Sequence, residues 1–324
     1  MRFRLPAAFA AIAVTIAAAG PAAAERDTGR YTSLTVFGDS LVDAGNLNLL
    51  TGGLAANPAQ GYFEGRFTNG YDYTDLLSIS LFGAPTVASL RPGGRNYAYG
   101  GAQAGTRSAV PDLSEQLLEY NLDRLAGLAV DPNGLYVLNF GGNDVFQAPD
   151  DPAAAEAWLR SSAAAYAGGI QYLNDIGVRN ILFTGYPVAT DPLSLDAEGY
   201  LTQELAGLTL AADTTLFRFS YLDFFGRVLS DPGSLGLPPQ RTDITCREAG
   251  QAAIDGGCIG IFSFDGTHPT APIHQALFRD MDRQFGLTAF QAVPEPASWA
   301  MMIGGFGVAG GALRHRRRAE RALA

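Results

Sequence analysis

The chain has 324 residues, 47% of them hydrophobic, and a formal net charge of −10, enough apolar material to bury a large core in one α/β domain. All 22 basic residues are Arg, and residues 25–293 keep 15 Arg against 30 acidic residues, a net −15. That surface repels polyanions and excludes nucleic acid and anionic membrane surfaces as partners of this span.

Residues 1–24 carry Arg2 and Arg4, an apolar stretch, then Ala22-Ala23-Ala24, the pattern of a secretory signal peptide cleaved after Ala24. Beyond it, apolar runs alternate with amphipathic stretches, as in βαβ units around a largely parallel sheet. Strands are predicted at 34–37, 135–140, 180–184 and, more weakly, 216–222. Helices are predicted at 112–128, with Asp112 as its capping residue, and at 153–176, 197–211 and 271–285. The Gly- and aromatic-rich segment 51–75 is expected to be loop. No repeat or low-complexity linker interrupts residues 31–290, so one catalytic domain is expected over 25–292. Cys246 and Cys258, in an exported chain, are expected to close a small loop as a disulfide, which contributes roughly 2–3 kcal/mol.

The predicted strands end in Gly38-Asp39-Ser40, Gly141-Gly142-Asn143-Asp144 and Gly185-Tyr186-Pro187. Ligands of open α/β sheets bind beyond the carboxyl ends of the strands, so these residues stand where a site is expected. Ser40 is a nucleophile only if a base, an orienting acid and oxyanion donors accompany it. The chain has three His. His315 lies in the tail, and His274 falls within the last predicted helix, on its surface or packed locally. His268 follows Asp265 by three residues, a spacing that lets the carboxylate hold one ring nitrogen while the other faces a nucleophile. Oxyanion donors are available at the Ser40 amide, in 96–102 around Gly100-Gly101, and at the Asn143 side chain. Asp265, His268 and His274 do not share a face as a metal site would need.

These blocks resemble the GDSL lipase/esterase (SGNH hydrolase) family: Phe37 to Asn46, Asn96 to Ala102, Gly141 to Asp144, and Asp265-Gly266-Thr267-His268-Pro269, in family order. Gly65-Arg66-Phe67-Thr68-Asn69-Gly70 resembles the G-R-F-S-N-G segment of the plant-type branch. The resemblance implies a flavodoxin-like three-layer α/β/α sandwich and a carboxylic ester hydrolase without metal or organic cofactor. In it Ser40 is the nucleophile, His268 the base, Asp265 the orienting acid, and Ser40, Gly101 and Asn143 the oxyanion donors, with Gly100 the adjacent alternative. The absence of G-x-S-x-G argues against an α/β-hydrolase nucleophile elbow. Small-molecule, lipid and acylated-glycan esters all remain open as substrates, and loop 47–75 and the cysteine loop are expected to shape the pocket. The rival reading is a non-catalytic surface binding protein that reuses the fold.

The end of the chain has Val293-Pro294-Glu295-Pro296, an uncharged Gly-rich stretch over 297–313, and the cluster Arg314-His315-Arg316-Arg317-Arg318. Residues 293–324 resemble a PEP-CTERM sorting tail of Gram-negative bacteria. That resemblance implies recognition by an exosortase-type protease after transient inner-membrane association, and a periplasmic, surface or extracellular destination. A plain C-terminal anchor is the alternative.

Overall fold

Four five-residue strands, each with apolar side chains on both faces, form the centre of the molecule. In a computed structural model, which describes residues 31–105, 108–187 and 191–288, the order is β1 (Leu34–Gly38), α1 (Asn46–Leu50), α2 (Tyr73–Phe82), α3 (Leu113–Leu125), β2 (Leu135–Asn139), α4 (Gly142–Phe146), α5 (Pro152–Asp175), β3 (Asn180–Thr184), α6 (Pro192–Leu205), β4 (Thr215–Phe219), α7 (Tyr221–Ser230), α8 (Gln251–Asp255) and α9 (Ala271–Phe285). The sheet runs β1-β2-β3-β4, all parallel, with Leu34 opposite Leu135 and Asn180 opposite Thr215. Residues 95–99 lie along the free side of β1: Val36 N–H donates to Arg95, and Tyr97 and Tyr99 donate to Val36 and Gly38. With that segment counted, the chain reverses its direction of travel at β1, a switch point where open sheets bind ligands.

Alternation along the strands divides the core in two. Val36, Val137, Leu182 and Phe219 pack on one face against Leu77 of α2, Phe224 of α7 and Leu277 of α9. Phe37, Leu138, Ile181 and Phe183 pack on the other against Leu117 of α3, Tyr166 of α5 and Leu201 of α6. The result is a three-layer α/β/α arrangement. Among the described residues no helix is long and apolar enough to cross a membrane; the predicted signal peptide and sorting tail lie outside them.

Several boundaries depart from the sequence reading for identifiable reasons. The strand predicted to run to 222 stops at Phe219, where the Ser220 side chain accepts from Asp223 N–H and starts α7. Tyr221, Phe224, Phe225 and Val228 are buried at helical spacing, not strand spacing. Loop 51–75 gives way at Tyr73 to α2, which Asp72 and Asp75 begin with a reciprocal capping box. Asp191 with Pro192 starts α6 five residues before the predicted 197. Asp112 occupies the N-cap of α3, but its carboxylate accepts from Gln103 N–H at 2.7 Å and the Ser108 hydroxyl at 2.8 Å instead of capping the helix.

A buried polar network closes the carboxyl end of the sheet. Asn139 accepts from the hydroxyls of Tyr73 (3.1 Å) and Tyr221 (2.6 Å) and donates to Asp39 at 3.0 Å. Burial pushes the Asp39 carboxyl up to about 7, with the Asp144 charge adding to it and the Leu41 N–H and Asn139 opposing. The folded protein thus holds this proton where the unfolded chain, titrating near 3.8, has released it. The stabilisation is fully present below pH 3.8 and is lost as pH rises through about 7. Asp39→Asn is therefore expected to exceed the wild type in stability at pH 8 by on the order of 4 kcal/mol, and to match it near pH 4. Urea denaturation midpoints across that range measure the gap; a gap independent of pH would refute the assignment.

Candidate active site

The nucleophile candidate sits on a turn built by its neighbours. Gly38 leaves no room for a side chain: a Cβ there would lie 2.4 Å from Val42 Cγ2 and 2.7 Å from the Asn139 carbonyl oxygen. Asp39 accepts from Leu41 N–H at 3.0 Å, and its own N–H donates to the Asn139 carbonyl at 3.1 Å. Ser40 emerges half-buried at the tip. Asp43 then accepts from the N–H groups of Gly45 (2.8 Å), Asn46 (2.6 Å) and Leu47 (3.2 Å), which turns the chain into α1.

The same Asp43 carboxylate accepts from Gly100 N–H at 2.9 Å, so the two sequence blocks are joined directly. That bond commits the Gly100 amide. Gly101, at φ 88°, stands in the left-handed region that favours glycine. Asn143 opens α4 beyond β2, and its carboxamide donates to the Ala102 carbonyl at 2.9 Å, which leaves a second amide hydrogen. Asp144 accepts from Ala104 (3.0 Å) and Gly105 (3.2 Å) N–H, fastening the same loop; burial raises its carboxyl, and those donors oppose the rise.

Asp265 and His268 lie on an irregular turn before α9. Asp265 Oδ2 meets His268 Nδ1 at 2.8 Å, while Oδ1 accepts from the N–H groups of His268 (2.9 Å) and Thr267 (3.0 Å). Burial alone would raise this carboxyl, but His268, through its ring hydrogen bond and charge, and the two amides hold it far below the ordinary range. The Gly65–Gly70 segment wraps this turn. Phe67 lies 5.0 Å from the His268 ring, Thr68 donates to the Pro269 carbonyl at 2.9 Å, and Asn69 accepts from Ala271 N–H at 2.9 Å. His274 is fully buried on α9 with Nδ1 unpartnered. Burial, and then the charge of His268, lower it to about 3, so its ring is neutral.

Ser40 and His268, 228 positions apart in the chain, line one cavity of about 320 Å³ together with Asp39, Gly142 and Asn143. Gly101 and Asp265 stand outside its lining. Its remaining wall is mostly apolar: Leu41, Phe146, Pro187, Phe225, Leu229 and Phe262. Sequence reasoning missed Phe225 and Leu229, which belong to α7, a helix it did not predict and whose first two residues it read as the end of a strand; the helical spacing from Tyr221 to Val228 was the signal. It also missed Tyr62, which donates to Asp265 Oδ2 at 2.8 Å from inside the aromatic loop. Cys246 and Cys258 are joined by a disulfide in the lobe beside this turn. Among the described residues no cluster of three or more His, Cys, Asp or Glu could hold a metal ion.

Comparison with known proteins agrees with the blocks and with the tail. The family model for GDSL-like Lipase/Acylhydrolase matches residues 34–281, and that for the PEP-CTERM protein-sorting motif matches 292–318. The latter motif assigns the chain to exosortase-linked sorting and a secreted or surface location. An uncharacterized protein in the trpE-trpG intergenic region of Pseudomonas putida is 30% identical over 291 residues, 78% of this chain and 45% of that one. Lipase 1 of Photorhabdus luminescens is 33% identical over 170 residues, 48% of this chain and 22% of its own length. The chain thus spans less than half the length of the curated relatives it matches. A solved mutant of Axe2, an acetyl-xylooligosaccharide esterase from Geobacillus Stearmophilus, superposes with TM-score 0.44 at 16% identity over 83% of this chain and 99% of that one. With a family match over residues 34–281, which holds the turn after β1, the loop at Gly101 and the Asp265–His268 pair, the chain belongs to the GDSL-like lipase/acylhydrolase family.

Proposed function

We propose that the protein is an exported serine ester hydrolase, a reading carried by Ser40 and His268 facing one cavity while Asp265 holds the far nitrogen of the same imidazole. Ser40 Oγ attacks the ester carbonyl carbon as His268 Nε2 takes its proton. The carbonyl oxygen, now negative, accepts from the Ser40 and Gly101 N–H groups and from the Asn143 carboxamide. His268 returns the proton to the leaving alcohol, and water then cleaves the acyl-enzyme by the same route in reverse. Gly101 is favoured over Gly100 because Asp43 already occupies the Gly100 amide. Asn143 is aimed by its bond to Ala102.

The apolar wall favours an ester with a hydrophobic acyl or alcohol part over a small acetyl ester. The domain is taken as 25–292 and the sorting tail as 293–324, supported by the two family matches. Within the family, Gly65 to Gly70 favours the plant-type branch. The tail fits a cleaving exosortase-type protease and transient association with the inner membrane. A binding protein that reused this fold would have no need of an Asp–His pair beside a serine.

Ser40→Ala is expected to abolish turnover of aryl esters and labelling by a fluorophosphonate probe while the melting temperature holds. Unchanged hydrolysis by that variant would sink the assignment, and an unlabelled wild type would favour the binding protein. Asn143→Ala is expected to lower kcat by about 10²–10³-fold, about 3 kcal/mol, as loss of an oxyanion donor does. A loss under about threefold would reduce Asn143 to holding the Ala102 loop.

A further inference from the structure

The orientation of the acid is shared with residues outside the sequence blocks. Asp265 Oδ2 accepts two bonds of equal length, 2.8 Å from His268 Nδ1 and 2.8 Å from the Tyr62 hydroxyl. The Tyr62 oxygen in turn accepts from Arg247 Nη1 at 3.2 Å, and the Arg247 guanidinium lies 5.2 Å from the Tyr62 ring centroid. A phenol whose oxygen accepts from a cation is a stronger donor through its own hydrogen. Burial, then the bond to Asp265, push the Tyr62 hydroxyl up to about 12, so it remains a protonated donor under ordinary assay conditions.

Both supporting residues are fixed from elsewhere. Cys246 N–H donates to Ser263 at 2.9 Å and Arg247 N–H to Phe264 at 3.0 Å, which lays the disulfide lobe along the chain entering Asp265. The loop bearing Tyr62 meets this lobe at Gly61, where a Cβ would come within 2.8 Å of Ile254. The Tyr62 ring packs edge-on to Phe264 at 5.0 Å and Phe67 at 6.1 Å. A phenylalanine could fill that ring position; only the hydroxyl reaches the carboxylate.

We propose that Tyr62, braced by Arg247, is a positioning residue for the Asp265–His268 pair. It fixes the carboxylate and tempers its charge, so that the imidazole keeps its orientation and releases the proton taken from Ser40. The inference rests on His268 being the base.

The test is Tyr62→Phe in the full chain, assayed with 4-nitrophenyl butyrate across pH beside Arg247→Gln. Without the phenol, Asp265 holds the protonated imidazole more firmly. The acid limb of kcat/KM is then expected to move upward by roughly half a pH unit. At the optimum, kcat is expected to fall about tenfold, the scale of one hydrogen bond to a charged group, with KM within about twofold. The titratable groups facing the pair are Tyr62, Arg247 and the neutral His274, and Asp39, raised to about 7, lines the same cavity as His268. Asp39 is present in the wild type and in both variants, so the comparison is of the acid limb between them. Arg247 is exposed, and its replacement is expected to give a smaller change of the same sign in a folded protein. An unmoved acid limb in both variants, with or without a lower rate, overturns the proposal and leaves Tyr62 a packing residue. Fluorophosphonate labelling of the wild type separates the two readings. A labelled, active wild type matched by Tyr62→Phe defeats only this one, whereas an inert wild type defeats the hydrolase reading and this one with it.

Discussion

The Asp43 carboxylate collects the N–H groups of Gly45, Asn46, Leu47 and Gly100, and the alignment of the Ser40 turn with the loop at Gly101 depends on it. It is fully buried, and burial raises it to about 6 against the pull of those four amides. Losing it would leave four donors unpaired, the three buried ones each costing about 1–3 kcal/mol. The arrangement survives because the amides come preassembled: three from the start of α1 and one from a segment already hydrogen-bonded along β1. Asn46 strengthens the same joint by donating to the Asn96 and Ala98 carbonyls at 2.7 and 3.0 Å. Residues that read in the sequence as a small-polar cluster after the serine are thus the junction between the Ser40 turn and the loop at Gly101.

Much of this was legible because it is local or periodic. The strand at Asn180–Thr184 and the helix at Ala271–Phe285 fall on their predicted bounds, since each is a clean apolar period with a marked end. The pairing of Asp265 with His268 could be read because three residues in a compact turn leave little freedom. Legibility failed where one composition fits two periods. The strand predicted over 216–222 takes in Tyr221 and Leu222, which suit a strand until the buried positions Tyr221, Phe224, Phe225 and Val228 are seen to repeat at helical spacing. It failed again where partners are distant: nothing local marks Tyr62 as a neighbour of Asp265, 203 residues away. Asp112 shows a third kind of failure. A residue can occupy a capping position while its carboxylate is claimed by a loop.

The two halves of the site are held by different means. Ser40 and Asn143 hang from the ends of β1 and β2, whose ladder fixes them to one another. Among the described residues, the Asp265–His268 turn has isolated bridges around it, Arg241 with Ile261 and Ser263 with Pro269, and no ladder. Its position relative to Ser40 is set by side chains: Thr68 on the Pro269 carbonyl, Asn69 on the start of α9, and Phe67 against the imidazole ring. The Gly65–Gly70 segment is therefore a clasp from the first half of the chain around a turn from the last.

A lobe with so little ladder must be ordered some other way. Fixing each backbone residue costs about 1–2 kcal/mol, and the cluster available to offset that between 246 and 264 is small: Cys246, Cys258, Ile261 and Phe264, with Tyr62, Ala253 and Ile254 packed against it. The disulfide lowers the same cost by restricting the unfolded chain, about 3 kcal/mol for a loop of this size. Its two cysteines are also among the most buried residues of the lobe. Such bonds form and persist in oxidising compartments, and the PEP-CTERM protein-sorting motif at 292–318 assigns the chain a secreted or surface location. Export and the ordering of the Asp265–His268 turn are therefore linked physically, because the lobe that presents Arg247 to Tyr62 is closed by a bond that the cytoplasm would keep reduced.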